Sequence, residues 1–184
     1  MNRETWLKAL ADKLQPLFVA VGQPLDLGRI RIGVGFPGGG ARREAIGQCW
    51  SDTASGDGTS EVFISPVLGN AMDVGHVLVH ELIHAAVGVA AGHGRAFGRL
   101  ARAVGLIGPL TATQAGPYLQ QTLDRLTAEL GPYPHAALTL TDRKTQTTRM
   151  IKCECPECGY IIRTTLKWLQ VGIPTCVCGT KFDI

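Results

Sequence analysis

Apolar residues recur at Trp6, Leu7, Leu10, Leu14, Leu17, Phe18 and Val21, and their spacing of three and four predicts a packing helix over residues 4–21. Pro16 falls inside it and is expected to end or kink it partway, because proline has no amide hydrogen for the preceding turn. The period then changes. Arg29-Ile30-Arg31-Ile32-Gly33-Val34 alternates polar and apolar residues as a half-buried strand does. Pro37-Gly38-Gly39-Gly40 makes a turn, and it is not a phosphate-cradling loop because no Gly-Lys-Ser/Thr follows. Residues 45–50 and 61–65 read as two further strands around a loop rich in Asp and Gly. A small sheet is therefore expected, and an exposed edge strand in it could hold an extended peptide by main-chain hydrogen bonds.

The next apolar run is helical. Asn70 is its expected N-cap, with Asp73 in the first turn, and Val77, Leu78, Val79, Leu82, Ile83, Ala85, Ala86 and Val87 follow. Set into this run are His80, Glu81 and His84, an H-E-x-x-H pattern. Histidines four apart lie about one turn from each other on one face, so both imidazoles can reach a single ion. Glu81 lies about 100° further round, near enough to hold a metal-bound water without being a ligand. Burying these side chains in an apolar helix is costly without partners. His76 is also four residues from His80, but positions eight apart are separated by about 12 Å along a helix, against metal–nitrogen bonds of about 2 Å. His76, His80 and His84 therefore cannot share one ion. The His80/His84 pair has a base beside it, which leaves His76 as a cleft residue, a support behind the ligands or an exposed first-turn histidine.

A catalytic zinc usually takes three protein ligands and leaves a fourth position open. No glutamate follows His84 until Glu129, and the longer metzincin pattern fails because Val87 and Ala90 stand in place of its glycine and histidine. His93 remains as the third ligand. Gly92 and Gly94 on either side of it let the chain leave the helix and turn a side chain back toward the ion. Asp124 is the second choice. Tyr118 and Arg95 are candidates for a side-chain donor to an oxyanion. Beyond His93, Phe97, Leu100, Ala101 and Val104 form one helical face, while Arg95, Arg99 and Arg102 form the other. Those arginines are either a solvated face or phosphate contacts beside the metal. Residues 114–130 predict a last helix, ended by Gly131-Pro132-Tyr133-Pro134, and with the Thr-rich stretch 139–148 this marks a boundary.

A second module begins near Arg149. Cys155-Pro156-Glu157-Cys158-Gly159 and Cys176-Val177-Cys178-Gly179 each present two thiolates from a tight turn, and two such turns can surround one ion tetrahedrally. The second pair is one residue tighter than usual, and Cys153 could substitute for a neighbour. A redox dithiol lacks the surrounding strand–helix–strand context, and Cys49 reads as a small buried apolar residue. From Asp142 onward seven bases face four acids, but four thiolates around one Zn²⁺ add about −2. Nucleic-acid binding by this module must then rest on the placement of Arg163, Lys167 and Trp168 rather than on bulk charge.

The chain has 184 residues, enough for one sizeable core and a small second module. The expected division is a domain at 1–135, a linker at 136–148 and a ribbon at 149–184. Residues 1–6 lack the apolar stretch of a signal peptide, and no run is long enough to span a bilayer. Closely paired cysteines suit zinc in a reducing compartment more than disulfides, so cytoplasm is the expected location, with no membrane partner.

The order of these parts resembles that of the SprT-like (Spartan-type) zinc metallopeptidases. The match rests on the N-terminal helix, a strand ending in Gly35-Phe36-Pro37, a strand ending in Ile64-Ser65-Pro66, the His80-Glu81-x-x-His84 helix, His93-Gly94 with Phe97 downstream, and a cysteine ribbon. It covers nearly the whole chain, and the His-Gly-x-x-Phe element makes it far more specific than H-E-x-x-H alone. The resemblance implies an α+β fold, a small zincin-like domain with a C-terminal zinc ribbon. It implies a catalytic zinc on His80, His84 and His93, Glu81 as the base, and a structural zinc on Cys155, Cys158, Cys176 and Cys178. The family's best-studied members degrade proteins crosslinked to DNA and need DNA for activity, so the expected partners are a protein substrate and DNA with single-stranded character. Their long recruitment tails have no counterpart after the ribbon, as expected of a compact microbial or phage-encoded member, which would work in the host cytoplasm. Two other functions suit the same residues: a zinc peptidase acting on one regulatory protein without DNA stimulation, and a binding module without turnover.

Overall fold

Asn2 opens the first helix by accepting a hydrogen bond from the Thr5 amide at 2.8 Å, and α1 runs Arg3–Ala20 as a single helix through Pro16. The structure is a computed structural model describing residues 1–38, 45–140 and 149–184. The turn expected at 37–40 lies partly outside the described residues, as does most of the Thr-rich stretch. The break expected at Pro16 does not occur. Pro16 and Asp12, whose carbonyl loses its helical donor, both lie on the exposed side, while Leu10, Leu14 and Phe18 continue the buried face past it.

The expected strands form one sheet. β1 (Ile30–Val34), β2 (Gly47–Trp50) and β3 (Ser60–Ile64) lie in the order β1-β3-β2, with β3 parallel to β1 and antiparallel to β2. β2 is thus an edge strand, in register Gly47↔Ile64 and Cys49↔Val62. The Ser65 amide donates to Ile46 O at 2.9 Å, so by the alternation of an antiparallel ladder Gly47 and Cys49 turn their main-chain groups away from β3.

Helix α2 (Ala71–Val87) packs on β2 and β3, capped by the Asn70 side chain, which accepts from the Met72 and Asp73 amides at 2.8 and 3.3 Å. After it come α3 (Arg95–Ala103), a two-residue hairpin of β4 (Leu106–Ile107) and β5 (Gln114–Ala115), and α4 (Pro117–Leu130). The last helix therefore starts three residues later than the expected Gln114. Gln114 and Ala115 pair with Ile107 and Leu106, and Pro117, with no amide to lose, suits a first helical position. Residues Trp6, Leu10, Leu14 and Phe18 of α1, Val62 and Ile64 of β3, Leu78, Leu82 and Ile83 of α2, and Phe97, Leu119 and Leu123 meet in one core. The chain after α4 returns to this core: Trp6 Nε1 donates to Gly131 O at 3.1 Å, Tyr133 lies edge-on to Trp6, and the Leu138 amide donates to Pro66 O at 2.8 Å.

The chain divides into two compact units, Met1–Leu140 and Thr141–Ile184. In the second, β6 (Ile151–Glu154) and β7 (Ile161–Thr164) form an antiparallel hairpin followed by α5 (Leu166–Val171). Cys153, Cys155, Leu169, Cys176 and Phe182 make its small core. The fold is α+β, and among the described residues no helix is long and apolar enough to cross a membrane.

Candidate metal centre

His80 and His84 sit one turn apart on the face of α2 that looks into a cleft of about 420 Å³. The helix ends at Gly88, a short turn follows over Val89–Ala91, and Gly92 takes φ +50, a backbone conformation that L side chains rarely adopt. This bend swings His93 back over the helix. His93 Nε2 lies 3.1 Å from His80 Nε2 and 3.2 Å from His84 Nε2. Tetrahedral bonds of about 2.0–2.1 Å to one ion set ligand nitrogens about 3.3 Å apart. A neutral ring carries one N–H at most, so hydrogen bonds among the three nitrogens leave lone pairs facing one another, whereas a shared cation would engage all three. The three histidines could hold a metal ion, and this donor set fits one. Phe97, fully buried, packs against all three rings with centroid distances of 4.8, 4.5 and 4.9 Å. Asp124 is exposed on α4 and does not join the cluster.

Burial shapes the chemistry. Desolvation, then the neighbouring imidazoles, lowers the His80 pKa to about 3 and that of His84 to about 4, so both rings are neutral and able to ligate at neutral pH. Glu81 is 6% exposed, and its pKa is pushed up to about 8 by desolvation, tempered by the Cys49 backbone amide. A divalent cation beside it would pull that value back down, because an opposite charge favours the carboxylate.

The cleft is lined on one side by residues 45–49 and on the other by Val89, His93 and Thr111–Thr113, with His76, Val77, His80, Glu81 and His84 between. His76 is a half-buried residue of this lining. Tyr118 and Arg95, the candidate oxyanion donors, do not line it. Two lining residues gave no sign in the sequence. A Cβ on Gly47 would lie 2.5 Å from Glu81 Oε1 and 2.6 Å from Val77 Cγ1, so only glycine lets β2 approach α2 at the face that carries Glu81. Thr113 Oγ1 lies 2.7 Å from His80 Nδ1. A lone glycine in a strand signals close approach only in general terms, and nothing in a Thr-Ala-Thr run points to a histidine 33 residues away.

In the second unit, Cys155, Cys158, Cys176 and Cys178 bring their sulfurs within 4.8 Å of one another and could hold a second metal ion. Cys155 Sγ is 3.4 Å from Cys178 Sγ, and Cys158 Sγ is 3.5 Å from Cys176 Sγ. These separations are well beyond a disulfide bond of about 2.05 Å and near the roughly 3.8 Å edge of a tetrahedral thiolate site. The Gly159 amide donates to Cys155 O and the Gly179 amide to Cys176 O, each at 2.9 Å, closing the two turns. The Thr180 amide leads the interactions that lower the Cys178 pKa to about 6, which favours thiolate. The tighter C-x-C spacing therefore does not prevent convergence. Cys153 is fully buried on β6 and stays out of the cluster. Cys49, which lines the cleft, is buried and its pKa is pushed up to about 12 by desolvation first and Glu81 second.

Of the candidate nucleic-acid contacts, Arg95, Arg99 and Arg102 lie exposed on α3, and Arg102 Nη1 donates to Gly98 O at 3.2 Å. In the second unit Arg163 is exposed on β7, and Trp168 is 60% exposed with Lys167 Nζ 5.2 Å from its ring centre. Comparison of the chain with protein-family models, with curated proteins and with solved structures finds no match.

Proposed function

We propose that this protein is a zinc-dependent endopeptidase of SprT-like type that works on DNA-associated proteins, with a zincin-like first unit and a zinc ribbon as its second. The observation that carries the reading is the convergence of three Nε2 atoms beside a buried carboxylate, at the foot of an edge strand. When bound, zinc supplies Lewis acidity, acidifying water and polarising a carbonyl. His80, His84 and His93 hold it with neutral rings and leave room for water and substrate. The outward main-chain edge of β2 at Gly47 gives an extended peptide a strand to pair with, setting its scissile bond over the histidines. Glu81 takes the proton of the attacking water on a carboxylate oxygen and returns it to the leaving amine. The ribbon would hold a second zinc on its four thiolates as a structural ion.

Support for nucleic acid comes from the exposed Trp168 ring with Lys167 and Arg163 on the same small unit, a combination suited to stacking a base and meeting phosphates. A second reading draws on the same unit: Leu166, Val171 and Val177 are also exposed, Val177 by 95%, which suits contact with one particular protein. The test incubates zinc-loaded protein with a DNA-bound basic protein, alone and with single- or double-stranded DNA added, and looks for fragments. Cleavage stimulated by single-stranded DNA is the expected result. Cleavage indifferent to DNA would favour the dedicated regulatory peptidase, and no cleavage under any condition would favour a binding module.

A further inference from the structure

We infer that Thr113 is a positioning residue for the metal centre: its hydroxyl holds the His80 ring in the orientation and tautomer that direct Nε2 at the ion. This rests on reading the three imidazoles as metal ligands. His80 Nε2 faces the other ring nitrogens, so as a ligand it must offer a lone pair. The ring proton then belongs on Nδ1, which donates to Thr113 Oγ1 at 2.7 Å.

The fold is built to deliver this hydroxyl. Thr113 is only 8% exposed and immediately precedes β5. The β4–β5 pairing, with the Gly116 amide donating to Gly105 O at 2.8 Å, fixes the hairpin ends, and the Ala112 amide donates to Pro109 O at 2.9 Å within the connecting loop. The other two rings are set differently. His84 Nδ1 is buried and makes no hydrogen bond among the described residues, and its ring lies against Phe97 with 4.5 Å between centres and 33° between planes. His93 is placed by the backbone bend. Only His80, among the described residues, has its far nitrogen bonded to another residue's side chain. Partners of this kind typically contribute about 10- to 100-fold in metal affinity.

The experiment measures zinc affinity of the full chain by chelator competition in the native protein, Thr113→Val and Thr113→Ser, with the cysteine site of the same molecule as internal reference. We expect Thr113→Val to release one of its two ions about 10- to 100-fold more readily, the cysteine-bound ion to be unaffected, and Thr113→Ser to restore retention. Unchanged affinity in Thr113→Val, or equal losses in both variants, would overturn the inference, since neither outcome depends on the hydroxyl. Nitrogen-15 NMR of zinc-loaded native protein supplies a readout that requires no variant to fold. A proton on His80 Nδ1 with its resonance in a hydrogen bond is expected, and a proton on Nε2 would overturn the inference. Failure of the underlying reading looks different: native protein would then bind a single ion, and Cys155→Ser would remove it.

Discussion

Burying Glu81 beside three imidazoles sets up a conflict that a cation resolves. Without one, its pKa is raised from 4.5 to about 8, so between those values the folded chain binds a proton that the unfolded chain has lost. The Glu81 contribution to the stability of the metal-free protein therefore falls as pH rises through this window, and it is fully regained only below 4.5. Glu81→Gln removes the titrating group while leaving His80 and His84 as they are. Metal-free Glu81→Gln should melt above metal-free native protein at pH 8, with the gap closing as pH falls toward 4.5; a gap independent of pH would show that the carboxylate is not protonated on folding. With zinc bound, the same variant should keep its metal content and lose peptide cleavage by at least about 100-fold, as expected for removal of a general base. Undiminished turnover would take Glu81 out of the mechanism.

The elements that carry the site depend on close approach as well as on periodicity. Gly47 on β2 sits against Glu81 and Val77 of α2, and Gly47→Ala must push these apart because the added Cβ meets side chains that are themselves packed. Overpacking of this kind costs about 1–3 kcal/mol. We expect Gly47→Ala to lower the melting point and to reduce cleavage more than zinc binding, since the clash falls on Glu81 and not on the imidazoles; equal stability would mean that β2 yields freely. Such contacts explain which parts were legible beforehand. The apolar spacing of α1, the Asn70 cap and the H-E-x-x-H face of α2 are local patterns, and the sequence displays them. The same holds for the alternation in β1. The parallel pairing of β1 with β3 is not local, because strands 30 residues apart carry no mark of which neighbour they choose. Strands of two residues have no period at all, so β4 and β5 were hidden, and with them the placement of Thr113 beside His80. Pro16 misled for the converse reason: a local rule gave way to the packing of Leu14 and Phe18 on the opposite face.

At the scale of the molecule, two units each gather one set of metal-ligating side chains, and their dependence on metal should differ. The first has a core of aromatic and aliphatic residues from α1, β3, α2 and α4, whereas the second relies on Leu169, Phe182 and three cysteines. So small a core is marginal without a staple. Chelation should collapse the amide resonances of residues 149–184 while those of 1–38 and 45–140 stay dispersed, and Cys155→Ser should lower the zinc content from two ions to one. Retained dispersion in both units after complete removal of metal would contradict a structural role for the four cysteines. The central claim is the imidazole centre itself, and anomalous diffraction at the zinc absorption edge from zinc-loaded crystals addresses it directly. The account predicts a peak about 2.0–2.1 Å from the Nε2 atoms of His80, His84 and His93, with the Glu81 carboxylate close by but not bonded to it. His93 turned into solvent with another side chain completing the site, or no peak between the three rings, would contradict it.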